Sequence, residues 1–168
     1  MINLRAVEEQ DLQIFQVWRN DRAIRKYFRE FRELTIVDQM KWFENLAGNS
    51  SIAMFTIEDV QKADDKIGRR PIGCCGLTDI DWFNRCAEVS FYLGSVYVDE
   101  RAKVPMERLI EIGFKEYGLH RLYAETWAFD TLKADLLIAV GFRHEGTALK
   151  AHWYNDSWHD VLRFGLLA

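Results

Sequence analysis

The sequence predicts an α+β fold in which helices and strands form mixed layers. Apolar residues follow helical spacing between residues 11 and 47 and then alternate with a period of two from Ser51 onward. A strand, helix, strand order between Ala87 and Trp127 predicts a parallel pair at the centre of the sheet. The 168 residues contain no repeat, linker or low-complexity tract, so residues 1–168 are expected to form a single domain.

The first part of the chain is predicted to be mostly helical. Its elements are a strand at 2–5, a helix opened by Asp11, a short helix at 23–28 and a helix at 36–46. Thr35 and Asp38 have the spacing of a capping box, which fixes the start of the last of these helices. Gly48 and Asn49 then end it.

The second part is predicted to be a set of strands interrupted by two helices. The elements are strands at 51–59, 72–81 and 87–95, a helix from Pro105 to Tyr117, a strand at 120–127, a helix ending at Ala139 and a hairpin at 142–167. The polar residues 60–71 are expected to be a loop. Gly118 should stop the first helix, Asp130 or Thr131 should cap the second, and the hairpin should turn near residues 155–157.

Charge and composition exclude several functions. The net charge is −4 and the pI is near 5.6, which disfavours nucleic-acid binding because that function needs a basic surface. No apolar run is long enough to span a membrane, and the N-terminus lacks a signal sequence, so a cytoplasmic protein without a membrane partner is expected.

No metal site is expected. The three cysteines have no zinc-binding spacing, and Cys74 and Cys75 point to opposite faces of a strand, so reduced thiols are predicted. The histidines show no metal-binding motif. His152 and His159 lie symmetrically on the two arms of the terminal hairpin, which predicts a cross-strand pair.

Several segments, in order and spacing, match one family. They are NLRAVEEQDL and WRND near the start, IGCCGLTDID and AEVSFYLG in the middle, FKEYGLHRLYAETWA after them, and GFRHEG followed by HWYNDSWHDVLRFGLL at the end. The chain thereby resembles the GNAT superfamily of acyl-CoA-dependent N-acyltransferases, in its ribosomal-protein alanine acetyltransferase-like branch. The resemblance implies a mostly antiparallel, splayed seven-stranded sheet with flanking helices, and transfer of acetyl from acetyl-CoA to a primary amine.

The phosphate-binding loop departs from the family pattern. The family has Q/R-x-x-G-x-G/A before a helix, where backbone N–H groups bind pyrophosphate and glycine permits close approach. This chain has Lys103 and Pro105 at the glycine positions. Binding is expected to continue through the amides of Val104, Met106 and Glu107, helped by the positive charges of Arg101 and Lys103. The alternative is an ordinary amphipathic helix beside a decayed cofactor site.

The second departure lies in the helix after residue 130. The family pattern N-x-x-A-x-x-x-Y places an asparagine near the cofactor and a tyrosine that protonates the leaving CoA thiolate. The corresponding residues are Asp130, which is expected to contact the cofactor region, and Leu137, which has no hydroxyl. Tyr92 and Tyr154 are the candidate replacements for the acid, although strand aromatics are more often core or hairpin residues.

The predicted catalytic groups lie on the strand at 87–95. Glu88 matches a frequent family glutamate and is the predicted base for the attacking amine; alternatively it only pairs with Arg85. A backbone N–H near Tyr92 or Leu93 is predicted to bind the thioester oxygen.

Acceptor-binding residues are predicted at the two ends of the chain. Trp18, Arg25 and Tyr154 are the named candidates. Arg22, Arg29 and Arg32 join Arg25 in a run that either grips an anionic acceptor or is a solvated face. Tyr154 and its tryptophan neighbours line an acceptor groove or a homodimer contact, or are simply packed. The sequence therefore predicts an N-acetyltransferase acting on a protein N-terminus, an amino sugar or a small amine; the alternative is a non-catalytic binding module.

Overall fold

The computed structural model describes residues 1–63, 66–94 and 98–168. The strands are β1 (Ile2–Ala6), β2 (Ala53–Ala63), β3 (Lys66–Asp81), β4 (Cys86–Leu93), β5 (Arg121–Trp127), β6 (Arg143–Tyr154) and β7 (Ser157–Leu167). The helices are α1 (Leu12–Asn20), α2 (Arg22–Arg25), α3 (Ile36–Leu46), α4 (Lys103–Glu111) and α5 (Thr131–Ala139). Short 3₁₀ turns, Glu9–Asp11 and Glu100–Ala102, precede α1 and α4, and a π-helical turn, Ile112–Glu116, follows α4.

All seven strands form one sheet in the order β1-β2-β3-β4-β5-β7-β6. Neighbouring strands are antiparallel except β4 and β5, which run parallel. The helix-containing crossover between β4 and β5 makes that parallel pairing possible. The predicted α+β class and the parallel central pair are confirmed. Among the described residues, no helix is both long and apolar enough to cross a membrane.

Local capping signals set the helix and hairpin ends as predicted. The Thr35 hydroxyl accepts from the Asp38 amide at 3.2 Å, and Asp38 accepts from the Thr35 amide at 2.7 Å, which completes the capping box of α3. Asp130 caps α5 by accepting from the Lys133 amide at 3.2 Å. Asn155 and Asp156 both have positive φ, at 49° and 56°, as the tight turn between β6 and β7 requires.

Three predicted boundaries are wrong. The short helix ends at Arg25 rather than 28, because the Phe28 ring turns inward to pack edge-on against Tyr92 at 5.1 Å. Within the predicted polar loop at 60–71, residues 60–63 continue β2 and residues 66–71 begin β3; these arms pair Gln61 with Gly68 and are tied by a hydrogen bond from Arg69 to Glu58. Helix α4 starts at Lys103, and Pro105 lies in its first turn, where a missing N–H breaks no intrahelical bond. The end of the predicted strand 87–95 lies outside the described residues.

The core lies between the sheet and the helices that flank it. Met106 and Leu109 of α4 are fully buried, as are Leu77 of β3 and Leu122 of β5. This packing holds α4 against β1 and β3 of the sheet. Of the functional groups described next, those on β4, β5 and α5 are carried by regular elements.

Candidate active site

Strands β4 and β5 form a fork. They pair only at Cys86–Arg121, Ala87–Leu122 and Glu88–Tyr123. Beyond that point β4 continues beside β3 to residue 93, and β5 continues beside β7 to residue 127. The inner edges at 89–93 and 124–127 thus face each other without pairing, which leaves backbone hydrogen-bonding groups available to a ligand.

The space at this fork is a cleft of about 290 Å³, called here the β4–β5 cleft. Its walls carry three cations, three carboxylates and several aromatic rings, with hydroxyl groups on the strands. The lining residues are Arg19, Tyr27, Phe28, Arg29, Glu30, Thr78, Glu88, Val89, Ser90, Phe91, Glu125, Thr126, Trp127 and Lys133. Formal charges of opposite sign therefore balance within the cleft.

Glu88 occupies the last paired position before the strands part, and its side chain is nearly buried. Its two oxygens accept from Arg29, with Nη1–Oε2 at 2.9 Å and Nη2–Oε1 at 2.5 Å. Arg29 Nη2 also lies 3.2 Å from Glu125 Oε2, so the guanidinium bridges the two strands. The hydrogen bond to Glu88 raises the pKa of Arg29 and keeps it charged. Sequence reasoning missed this partner and offered Arg85 instead.

Lys133 is a second group that sequence reasoning missed. It lies in the first turn of α5, lines the β4–β5 cleft and donates from Nζ to the Glu125 carbonyl oxygen at 3.1 Å. Burial lowers the pKa of Lys133, although Asp130 and Glu88 act in the opposite direction. The signal in the sequence was a lysine where the family pattern N-x-x-A has alanine.

The predicted catalytic residues Tyr92 and Leu93 lie deep in the protein. Tyr92 is buried, hydrogen-bonds the Cys74 thiol and packs against Phe28. Burial raises the pKa of Tyr92 well above its usual value, which keeps the hydroxyl protonated. The Leu93 side chain is fully buried. Their predicted roles as acid and oxyanion donor stay predictions.

The cations predicted at the phosphate loop each have a neighbouring carboxylate. Arg101 folds back on Asp99, with Nη2–Oδ2 at 2.5 Å, and Asp99 Oδ1 also accepts from the Arg101 amide at 2.9 Å. Lys103 Nζ lies 3.8 Å from Glu107 Oε1 on a half-exposed surface. A phosphate group would compete with Asp99 for the Arg101 amide and guanidinium, whereas the Lys103 pair is loose.

The predicted amide donors have unequal access. In a helix that begins at Lys103, the amides of Met106 and Glu107 donate to carbonyls one turn earlier, and the Met106 side chain belongs to the core. Val104 lies in the first turn, and 53% of its surface is exposed. Asp130 is buried and accepts from the Thr126 hydroxyl at 3.0 Å besides capping α5. Their roles in cofactor binding stay predictions.

The structure brings together two of the three predicted acceptor-binding residues. Arg25 and Tyr154 line a second cavity of about 730 Å³, whereas Trp18 packs against Phe15 and Gly94. We call this cavity the cationic pocket. Its lining residues are Arg22, Arg25, Lys26, Phe28, Arg29 and Phe31 from one wall and His152, Trp153, Tyr154 and Asn155 from the tip of the β6–β7 hairpin. It shares Phe28 and Arg29 with the β4–β5 cleft.

The remaining histidine and cysteine predictions concern metals and disulfides. His152 and His159 pair directly across β6 and β7, as predicted, and the His152 ring stacks on Trp127 at 3.8 Å. Cys74 and Cys75 are buried free thiols, as predicted, and Cys86 is also free. In the part of the chain that the structure describes, no group of three or more ligating side chains could hold a metal ion.

Comparison of the sequence with known proteins gives relatives along nearly the whole chain. A spermidine N(1)-acetyltransferase of Vibrio cholerae is 23% identical over 167 residues, which cover 99% of this chain and 92% of the relative. An uncharacterized N-acetyltransferase, p20, of Bacillus licheniformis is 26% identical over 170 residues with the same coverage of both proteins.

Solved structures match the fold equally well. The crystal structure of the Vibrio cholerae spermidine N-acetyltransferase in complex with CoA and spermine superimposes with a TM-score of 0.88 at 24% identity, covering 99% of this chain and 95% of the other. A dodecameric structure of spermidine N-acetyltransferase from the same organism gives 0.80 at 24% identity, with 99% and 93% coverage. These matches confirm the predicted splayed, mostly antiparallel seven-stranded fold.

The acetyltransferase (GNAT) domain family matches residues 2–143, which include the forked strands, the phosphate loop and α5. This match decides between the two functions that the sequence left open, because it spans most of the chain. The chain belongs to the GNAT acetyltransferase family and is an acyl-CoA-dependent N-acetyltransferase with acetyl-CoA as its donor.

Proposed function

We propose that the chain acetylates the primary amine of a small molecule in the β4–β5 cleft. The observation that carries this proposal is the fork itself, in which Glu88 occupies the last paired position. A ligand that enters between the strands there meets a carboxylate on β4, a lysine on α5 and unpaired backbone edges on both sides. Elsewhere in this sheet, unpaired backbone groups of this kind occur at the edge strands β1 and β6.

The residues present fit an acetyl-CoA arm. The edge at 89–93 would hold the amide groups of the arm by strand-like hydrogen bonds, and the first turn of α4, with Val104 and Lys103, would meet the phosphates. Arg101 would contact a phosphate only after its hydrogen bonds to Asp99 break. If they stay in place, Arg101 takes no part in phosphate binding. When bound, the donor supplies an acetyl thioester, whose carbonyl carbon is the electrophile.

The chain's own groups handle two protons. The acceptor nitrogen forms a bond to the acetyl carbon as the carbon–sulfur bond breaks; the amine loses a proton and the CoA thiolate gains one. Glu88, directly or through water, is the proposed proton acceptor. Lys133 is the proposed proton source for the thiolate, because desolvation lowers the pKa of its ammonium, which then gives up a proton more readily than an exposed lysine would.

A polyamine is the second candidate acceptor. The favouring observation is that the Vibrio cholerae relatives are named spermidine acetyltransferases, one of them solved with spermine. The ribosomal-protein alanine acetyltransferase-like branch, with a protein N-terminus as acceptor, rests only on the sequence segments quoted above. Assembly as a homodimer and residence in the cytoplasm are also part of the proposal.

Amine-dependent release of CoA thiol tests the proposed function. The purified chain would be given acetyl-CoA with spermidine, an amino sugar, an amino acid amide and a peptide with a free N-terminal alanine. We expect at least one small amine to give a saturable rate of CoA thiol release and to gain the mass of one acetyl group. Acetyl-CoA binding without transfer to any amine would contradict it.

A further inference from the structure

The cationic pocket is electrostatically unlike the rest of the molecule. The chain carries a net charge of −4, yet four cations line this one cavity: Arg22, Arg25, Lys26 and Arg29. Among the described residues that line it, there is no aspartate or glutamate. Arg29 already pairs with Glu88 and Glu125 outside the lining of this cavity, so the excess positive charge comes chiefly from the other three cations, and it favours an anion in the cavity.

The carboxylates around the pocket leave much of this charge unpaired. No carboxylate among residues 1–63, 66–94 and 98–168 forms an ion pair with Arg22 or Lys26, and Lys26 instead lies over the Tyr27 ring at 4.8 Å. Arg25 Nη1 is 3.1 Å from Glu33 Oε1, but Glu33 is 71% exposed and the contact is not a hydrogen bond. Such an exposed pair contributes little.

Two buried nitrogen atoms at this pocket have no hydrogen-bond partner. They are Arg25 Nη1 and His152 Nε2, and both residues line the cavity. Buried polar atoms are almost always satisfied, so each of these nitrogens is expected to have a water or a ligand atom as its partner. Both nitrogens can donate to an oxygen, the histidine in one of its tautomers.

The pocket adjoins the proposed reaction centre. Phe28 and Arg29 line both the cationic pocket and the β4–β5 cleft, and Arg29 contacts Glu88 directly. An acceptor with its amine at Glu88 would have its remaining atoms next to Arg29, at the border of the pocket. The rings of Trp153 and Tyr154 form the opposite wall, which suits a flat or ring-shaped body.

We propose that the acceptor is an amine that also carries an anionic group, a carboxylate or a phosphate, bound by the arginines of the cationic pocket. The inference rests on the proposed function for the position of the amine. Guanidinium groups bind both kinds of anion in a bidentate manner, so the pocket alone fits either. A polyamine fits poorly, because its remaining ammonium groups would lie beside Arg22, Arg25 and Lys26 and meet no carboxylate among the described residues that line the pocket.

Matched ligand pairs test this inference. Glucosamine 6-phosphate is compared with glucosamine, and glycylglycine with glycylglycine amide, first by calorimetric binding in the presence of CoA and then by acetylation kinetics. The inference expects the anionic member of at least one pair to bind and react at least about tenfold better. The pair that discriminates identifies phosphate or carboxylate as the anion.

The double variant Arg22→Gln with Lys26→Gln removes one exposed and one half-buried cation of the pocket and should erase that preference. The expected change is about a tenfold higher KM for the anionic member, an unchanged kcat and no effect on the neutral member. Arg143→Gln, an exposed arginine on β6, is the matched control and should change nothing. An equal loss on both members would indicate a structural role and overturn the inference.

The two proposals fail in different ways. Binding of an anionic amine without turnover would overturn the proposed function and leave the pocket assignment standing. Acetylation of amines with no preference for the anionic members, or a preference for spermidine, would overturn the pocket assignment and leave the function standing. If no anionic amine binds, the pocket assignment is overturned whatever the turnover.

Discussion

Arg5 and Arg29 each lie between two carboxylates, and the two clusters have nearly the same geometry. Arg5 donates to both oxygens of Asp11 at 2.7 Å and to Glu58 Oε2 at 3.0 Å. Arg29 donates to both oxygens of Glu88 and lies 3.2 Å from Glu125. Hydrogen-bond geometry alone therefore does not distinguish a structural ion cluster from one at a reaction centre.

Burial and backbone context distinguish them. The Arg5 side chain is 20% exposed and projects from β1, and its two carboxylates are 2% and 1% exposed. The Arg29 side chain is 57% exposed and lies on the irregular segment between α2 and α3. Water and ligands can reach Arg29 but not the carboxylates of Arg5. The first cluster joins β1 to β2, and the second can exchange partners when an acceptor arrives.

Arg5→Met should give the largest change in stability. It leaves Asp11 and Glu58 buried without their shared cation, and breaking a buried pair costs about 3–5 kcal/mol of unfolding free energy. Arg29→Met is the matched variant and should cost less, about 1–3 kcal/mol, because water can reach Arg29 and Glu125 although Glu88 is nearly buried. Chemical denaturation of both variants checks this; equal losses would remove the distinction between the clusters.

Glu88→Gln should show the opposite pattern. If Glu88 accepts the amine proton, kcat should fall by about 10²-fold or more, whereas the unfolding free energy should change by about 1 kcal/mol or less because Arg29 keeps Glu125 as a partner. Glu116→Gln, a half-exposed glutamate beside Arg108, is the control. A full-rate Glu88→Gln enzyme would exclude the residue as the base.

Lys133→Met should lower kcat by about tenfold or more, at the weaker end of acid–base effects because a thiolate leaves readily. The wild-type enzyme should lose kcat as the pH rises through the pKa of Lys133, which burial places below the usual lysine value, and the variant should lack that limb. Lys115→Met, an exposed lysine, is the control. If kcat of Lys133→Met still falls at alkaline pH, the group that titrates there is not Lys133.

The smallest effect concerns acid. Burial alone would raise the pKa of Asp11 and Glu58, but hydrogen bonds from Arg5, with others from Thr56 and Asn3, outweigh it and hold both values below the usual range. Carboxylates with depressed folded pKa values stabilise the fold above the unfolded pKa near 4, and this stability is lost as the pH falls through the folded values. Unfolding free energy should stay level from pH 7 to about 5 and then decline. If the Arg5→Met variant loses the same amount of unfolding free energy below about pH 5 as the wild type, the acid sensitivity comes from groups other than Asp11 and Glu58.

The features that the sequence predicts correctly are those set by residues close to each other along the chain. The ends of α3 and α5 and the terminal hairpin follow from Thr35, Asp38, Asp130 and the residues at 155–156, each acting on its neighbours. The fork could be expected only through family resemblance, since no spacing in β4 or β5 marks where the strands part. Residues 60–63 and 66–71 show no apolar alternation, so their sequence predicts a loop although they form strand arms.

The site chemistry was harder to predict, because its partners are distant in sequence. Arg29 and Glu88 are 59 residues apart, and the sequence around either residue contains no signal that identifies the other as its partner. At the phosphate loop the opposite problem arises: Asp99 and Arg101 are neighbours, yet the sequence does not say that they bind each other in preference to a ligand. The sequence signal for Lys133 is its departure from the alanine of the family pattern, and this departure does not show that the side chain enters the cleft.

Hydrogen–deuterium exchange with and without acetyl-CoA tests the central claim most directly, because it reports on the backbone edges of the fork. We expect the backbone amides of residues 89–93 to exchange more slowly on addition of acetyl-CoA, with little change in the distant strand β1. Saturable binding that leaves the exchange of 89–93 and 124–127 unchanged would contradict the placement of the donor between β4 and β5.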